Sequence, residues 1–235
     1  MRIKAVLFDL DGTLLPMDQD HFVKTYFQLL AQKLAPFGYE PKRLVDAVWA
    51  GTAAMVRNNG QQSNETVFWE KFVEIFGEKV KKDLPLFEEF YRGEFAGAKS
   101  ACGFNPKAAE TVALIKEKGI RVALATNPIF PAVATESRIR WAGLQPEDFE
   151  LYTTYENARY CKPNLNYYKD IAEQMGLAPE ECLMVGNDVS EDMVVRALGM
   201  QVFLLTDCLI NPEQKDLSTY PNGGFPELLA LVRSL

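Results

Sequence analysis

Histidine occurs once and cysteine four times in this chain of 235 residues, and that scarcity removes whole classes of chemistry. Cys102, Cys161, Cys182 and Cys208 are scattered, with no C-x-x-C pair and no metal-like spacing, so they read as reduced thiols. Without clustered histidine or cysteine, a zinc site is not expected. Long apolar runs are lacking too: none approaches the ~18 residues a membrane span needs. The basic residues ahead of the first apolar stretch do not make a signal peptide, because Asp9 and Asp11 interrupt it and no small-residue cleavage site follows. A cytoplasmic location is the default expectation, which makes the Asn64-Glu65-Thr66 glycosylation match an accident. Lys/Arg clusters are absent as well, and the formal charge of −7 repels nucleic acid. A small phosphorylated molecule remains compatible, since a local site on an acidic protein can be positive or metal-bridged.

What is present is a core-forming composition, 48% hydrophobic and 24% charged, sized for one domain with an insertion or for two domains. In the second half, short apolar runs alternate with helical patterns. "IRVALAT" (120–126), "CLMVGN" (182–187) and "QVFLLT" (201–206) are nearly continuous in Val, Leu and Ile, as in strands covered on both faces, and "FELYTTY" (149–155) supplies one more. Between them, 106–119, 130–143, 164–176 and 189–199 have helical spacing, mostly closed by glycine. Repeated β-α units predict an α/β fold, a doubly wound parallel sheet with right-handed crossovers. Residues 16–99 break the rhythm with helical segments near 21–38, 41–60, 64–77 and 84–95. They predict an all-helical insertion, with Asp18 or Asp20 as the first N-cap. The expected division is a core of 1–15 and 100–235 around an inserted 16–99. Residues 209–224 read as a long polar loop before a last helix.

In a parallel α/β sheet, ligands bind beyond the carboxyl ends of the strands. Polar residues stand at three such ends: Asp9 and Asp11 after "KAVLF", Thr126 and Asn127 after "VALA", Asn187 and Asp188 after "LMVG". Two carboxylates two residues apart on extended chain point the same way, and their repulsion is relieved by a cation between them. With Asp188, the oxygen-rich set suits Mg²⁺.

"DLDGTLL", "ATNP", "CKPNLNYY" and "VGNDVSED", in that order and at those strand ends, resemble the four signatures of the haloacid dehalogenase-like hydrolases. The likeness covers roughly 1–15 and 100–235, and the helical insertion after the first signature resembles that family's cap domain. The resemblance implies a phosphatase acting on a small phosphomonoester, as a monomer or homodimer. In it, Asp9 is the nucleophile that forms an aspartyl-phosphate, and Asp11 protonates the leaving oxygen and later deprotonates water. Thr126 and the Asn127 backbone hold the phosphoryl group, and Lys162 neutralises charge. Mg²⁺ is held by Asp9, the Asp11 carbonyl and Asp188, steadied by Asp192. The fourth signature departs from pattern in placing Asn187 between Gly186 and Asp188. Asp188 is favoured as the metal-facing residue because a charged oxygen binds Mg²⁺ better, and Asn187 is the alternative. Three rival functions stand beside the phosphatase: a metal-free dehalogenase, against which Asp11 speaks; a sugar-phosphate mutase; and a catalytically inactive phosphometabolite-binding module.

Other residues take plainer readings. His21 belongs to a cap-helix start on the surface, and Lys24 to an exposed helix face rather than a Schiff base. Phe22, Tyr26, Phe27, Phe68, Trp69, Phe72 and Phe76 recur at helical spacing and read as packing. Gly223-Gly224 reads as a loop before a helix, not a phosphate loop.

Overall fold

The computed structural model describes residues 2–235. Six parallel strands form one sheet: β1 (Ala5–Phe8), β2 (Arg121–Leu124), β3 (Leu151–Tyr152), β4 (Cys182–Gly186), β5 (Gln201–Leu205) and β6 (Asn222–Gly223), in the order β3-β2-β1-β4-β5-β6. β1 is therefore central, pairing with β2 on one side and β4 on the other. The chain winds outward in opposite directions from it, which opens a crevice at the carboxyl ends of these three strands.

Both sheet faces are covered, which explains why the strands read as continuous apolar runs. Val6, Phe8, Leu124 and Val185 pack under α5 (Pro106–Glu117), α6 (Ala132–Trp141) and α8 (Phe225–Ser234). Ala5, Leu7, Ala123 and Met184 pack against α7 (Leu165–Gln174) and a 3-10 run, Met193–Leu198. Alternate residues of each strand thus serve opposite layers.

Between β1 and α5 the chain is helical, and among the described residues it adds no strand to the sheet. To keep chain order, these helices are named αA (Gln19–Leu34), αB (Pro41–Val56), αC (Asn64–Phe76) and αD (Lys79–Arg92), followed by a 3-10 run, Glu94–Ala101. Asp18 is the N-cap of αA, its side chain accepting from the His21 amide at 2.9 Å. His21 and Lys24 are exposed. The expected aromatic packing is seen: Phe68 stacks on Phe72 at 5.3 Å, and Phe22 meets Phe130 at 6.4 Å, joining these helices to the layer over the sheet.

Three local expectations are corrected. The polar stretch 209–224 ends in the two-residue edge strand β6, paired with Leu204 and Leu205, because its backbone completes the ladder that β5 leaves open. Residues 189–199 form a tight 3-10 run over Met193–Leu198 rather than an α-helix, after a turn whose amides are taken by the Asp188 carboxylate. αD begins at Lys79 and runs through Pro85, with Val80, Phe87 and Phe90 buried, so burial of its apolar stripe outweighs the proline. Lys162 and Pro163, joined by a cis peptide, precede α7, whose N-cap is Asn164, where the helical pattern begins.

Candidate active site

Asp9 follows the last residue of β1 and stays in the ladder, its amide donating to the Val185 carbonyl at 2.9 Å. The chain then turns sharply, and Gly12 takes φ +85°, a conformation that favours glycine. A Cβ there would meet Asn187 Nδ2 at 2.3 Å, so the turn fits against the β4 end only with glycine. The turn returns Thr13 to the site, where its hydroxyl lies 3.0 Å from Asp9 Oδ2 and 2.9 Å from Asn187 Oδ1.

Lys162 reaches the same carboxylate from the loop before α7. Its Nζ donates to Asp9 Oδ1 at 2.7 Å and to Asp192 Oδ1 at 2.6 Å, and it is 1% exposed. Burial works against its charge, but Asp192 and Asp9 together outweigh that and hold the ammonium well above its ordinary value. Asp192 is raised to about 6 by burial, with Lys162 opposing. Its Oδ2 accepts from the Asp188 amide at 3.0 Å and occupies the space a side chain at Gly186 would need. Glu191, raised to about 7 by burial, receives Asn127 Nδ2 at 3.3 Å.

Asp11 leaves the turn beside α6, where Arg138 donates to its Oδ2. Burial raises Asp11 above the usual carboxylate range, although Arg138 pulls it down. Arg138 is fully buried, its guanidinium 4.4 Å from the centre of the Phe130 ring. Thr126 and Asn127 leave β2. The Thr126 carbonyl accepts from Thr153 Oγ1 and Tyr167 at 2.7 and 2.8 Å, and Asn127 Oδ1 accepts from the Lys162 amide at 3.3 Å.

One cavity of about 240 Å³ is lined by Asp9, Asp11, Thr126, Asn127, Asn187, Asp188, Glu191 and Asp192, and Lys162 touches it through Asp9. The residues singled out from the sequence therefore converge. Asn187 is 2% exposed and tied at both ends of its amide, since Nδ2 donates to the Cys208 carbonyl at 2.7 Å. Asp188 spends Oδ1 on the Ser190 and Glu191 amides at 2.7 and 2.9 Å, and its Oδ2 makes no hydrogen bond among the described residues. Asp188 thus forms the turn with one oxygen and lines the cavity with its side chain.

Three participants were given no role from sequence. Thr13 lay inside the quoted "DLDGT" and Glu191 inside "VGNDVSED"; only Arg138 lacked any signal. It sits in an ordinary helical pattern, 127 positions from its partner.

The donor set suits a hard cation. It is all oxygen, and Asp11 Oδ1 is a buried atom without a hydrogen-bond partner. Among the described residues no three His, Cys, Asp or Glu side chains are grouped into a cage that could hold a metal ion by themselves. Mg²⁺ does not need one, because it binds through one or two carboxylates and keeps waters and substrate oxygens.

The buried Asn64 removes the glycosylation reading: its side chain accepts from Asn58 at 2.9 Å and donates to the Pro128 carbonyl at 3.2 Å. No helix among the described residues is long and apolar enough to cross a membrane.

The chain is 27% identical over 236 residues to the phosphoglycolate phosphatase of Escherichia coli, covering 92% of this chain and 86% of that one. It is 25% identical over 214 residues to the N-acetylmuramic acid 6-phosphate phosphatase of Pseudomonas aeruginosa, covering 91% and 86%. Among solved structures, a HAD phosphatase from Thermococcus onnurineus superposes with a TM-score of 0.60 at 18% identity, covering 98% of both chains. The family model for haloacid dehalogenase-like hydrolase matches residues 3–195. The chain belongs to the haloacid dehalogenase-like hydrolases.

Proposed function

We propose that the protein is a Mg²⁺-dependent phosphatase that hydrolyses a small phosphomonoester through an aspartyl-phosphate on Asp9. The observation that carries this reading is the placement of Asp9 in the lining of the cavity, with Lys162 bonded to it and to Asp192. A carboxylate oxygen of Asp9 attacks phosphorus while the ester oxygen departs, and the Asp11 carboxyl gives that oxygen a proton. Burial, which raises Asp11, favours the protonated form this step needs. Asp11 then takes a proton from water as the water attacks the acylphosphate, freeing phosphate and restoring Asp9. Thr126 and the Asn127 backbone orient the phosphoryl oxygens, and Lys162, bonded to Asp9, balances charge from behind it.

Asp9, the Asp11 carbonyl and Asp188 would hold Mg²⁺, with Asp192 positioning the Asp188 turn and Asn187 bracing Thr13. When bound, the cation supplies charge neutralisation for the phosphoryl group. The unused Oδ2 of Asp188 and the committed amide of Asn187 favour Asp188 as the ligand. The helices of 16–99 act as a cap over the cavity, and the enzyme works in the cytoplasm. An acid at position 11 has a task in releasing an alkoxide and none in releasing halide, which sets the dehalogenase aside.

The test is phosphate release from p-nitrophenyl phosphate with and without Mg²⁺. Asp9→Asn is expected to fold and show no measurable turnover, and a chelator is expected to stop the wild type. Substantial hydrolysis by Asp9→Asn would remove Asp9 as nucleophile, and indifference to chelation would remove the metal role of Asp188.

A further inference from the structure

Beside the catalytic cavity lies a second, more enclosed one of about 70 Å³. At about 10–15 Å³ for each water-sized position, it has room for about five waters or one six-membered ring. Val23, Trp49, Ile129 and Phe130 line both cavities, so the chamber adjoins the place where the leaving group of an Asp9-bound ester must lie. The walls come from αA, αB, αC and αD on one side and the loops after β2 and β3 on the other.

The chemistry of those walls is one-sided. Among the described residues no Lys, Arg, His, Asp or Glu lines the chamber, and no Lys, Arg or His lines the catalytic cavity. The two nearest cations are already committed: Lys162 to Asp9 and Asp192, and Arg138 to Asp11 from behind the Phe130 ring. The polar tips are neutral hydroxyl and indole groups, and four of them pair with one another. Tyr26 and Tyr91 share a 2.9 Å hydrogen bond, and Tyr155 accepts from Trp69 Nε1 at 3.3 Å. A carboxylate entering here would shed its water, find no cation, and face Asp11 and Glu191 across the shared wall.

We infer that this site selects phosphomonoesters whose alcohol carries an uncharged, apolar group about the size of one ring, and rejects esters whose alcohol carries a carboxylate. The inference rests on the phosphatase reading and narrows it to a substrate class.

The experiment compares kcat/KM of the Mg²⁺-loaded wild type for benzyl phosphate, ethyl phosphate, phosphoglycolate and phosphocholine. Benzyl and ethyl alcohols are of similar acidity, so their ratio reports on the chamber rather than on the leaving group's chemistry. Benzyl phosphate is expected to exceed ethyl phosphate about 70-fold, the effect of removing about 100 Å² of apolar surface from water, and phosphoglycolate is expected to fall below ethyl phosphate. Calorimetric binding to Asp9→Asn should rank the benzyl and ethyl esters in the same order without turnover. Thr52→Phe, which fills the chamber, should bring the benzyl-to-ethyl ratio toward one, with Thr52→Leu between. Should Thr52→Phe fail to fold, the wild-type panel and the Asp9→Asn binding decide alone. A kcat/KM for phosphoglycolate or phosphocholine at or above that for benzyl phosphate overturns the substrate class and leaves the phosphatase standing. Release from none of the four esters overturns both.

Discussion

Replacing Lys162 by methionine keeps most of the side-chain volume and removes the ammonium that Asp9 and Asp192 share. Each contact, 2.7 and 2.6 Å long, corresponds to about 6 kcal/mol at an effective dielectric constant near 20. Burying the ammonium offsets much of that sum, and breaking a buried pair from one side costs about 3–5 kcal/mol. The expected result is a loss of about 3–5 kcal/mol in unfolding free energy for the metal-free protein at pH 8, read by urea titration in chelating buffer. The sign of the pH dependence follows from what remains. Without Lys162, Asp192 loses the cation that opposes its burial, and its folded pKa stays above the unfolded value. Its penalty is absent below the unfolded value near 3.8 and complete above the folded value. The deficit should therefore shrink as the pH falls toward 4. Adding Asp192→Asn should restore part of the loss, because one unpaired charge goes with it. A deficit under about 1 kcal/mol at pH 8, or one equal at pH 8 and pH 4, would refute the reasoning.

Glu191, raised from 4.5 to about 7 by burial, is a carboxylate whose folded state favours the proton, so its contribution to stability is full below pH 4.5 and lost as the pH rises through 7. Glu191→Gln should stabilise the metal-free protein by about 1–3 kcal/mol at pH 8, the conversion trimmed for partial exposure, and leave it unchanged at pH 4; parallel melting curves across that range would contradict this. Arg138→Met removes the donor to Asp11 while keeping an apolar stem against Phe130. It should lower kcat about 10-fold or more through misplacement of the acid, with KM for ethyl phosphate within about 2-fold. A variant with unchanged kcat would show that Asp11 is held without Arg138.

Much of this protein is written locally. The sheet is legible because strands covered on both faces must be apolar throughout, as Ala5–Phe8 and Cys182–Gly186 are, and because each following helix carries its own apolar stripe. Asp9, Asp11, Thr126 and Asp188 are legible because the carboxyl end of a parallel strand is where polar side chains can face a ligand. Where local signals fail, longer-range contacts decide: β6 exists only because β5 offers it a ladder, and αD runs through Pro85 because its apolar face is buried.

The sequence by itself determined the alternation of strand and helix and the residues at strand ends, since both follow from periodicity and side-chain type along one segment. Tertiary structure alone decided that Lys162 is shared by Asp9 and Asp192, that Arg138 reaches Asp11, and that αA to αD enclose an uncharged chamber beside them. Such contacts join positions tens to more than a hundred residues apart, and the packing that brings them within bonding distance leaves no periodic trace in the chain.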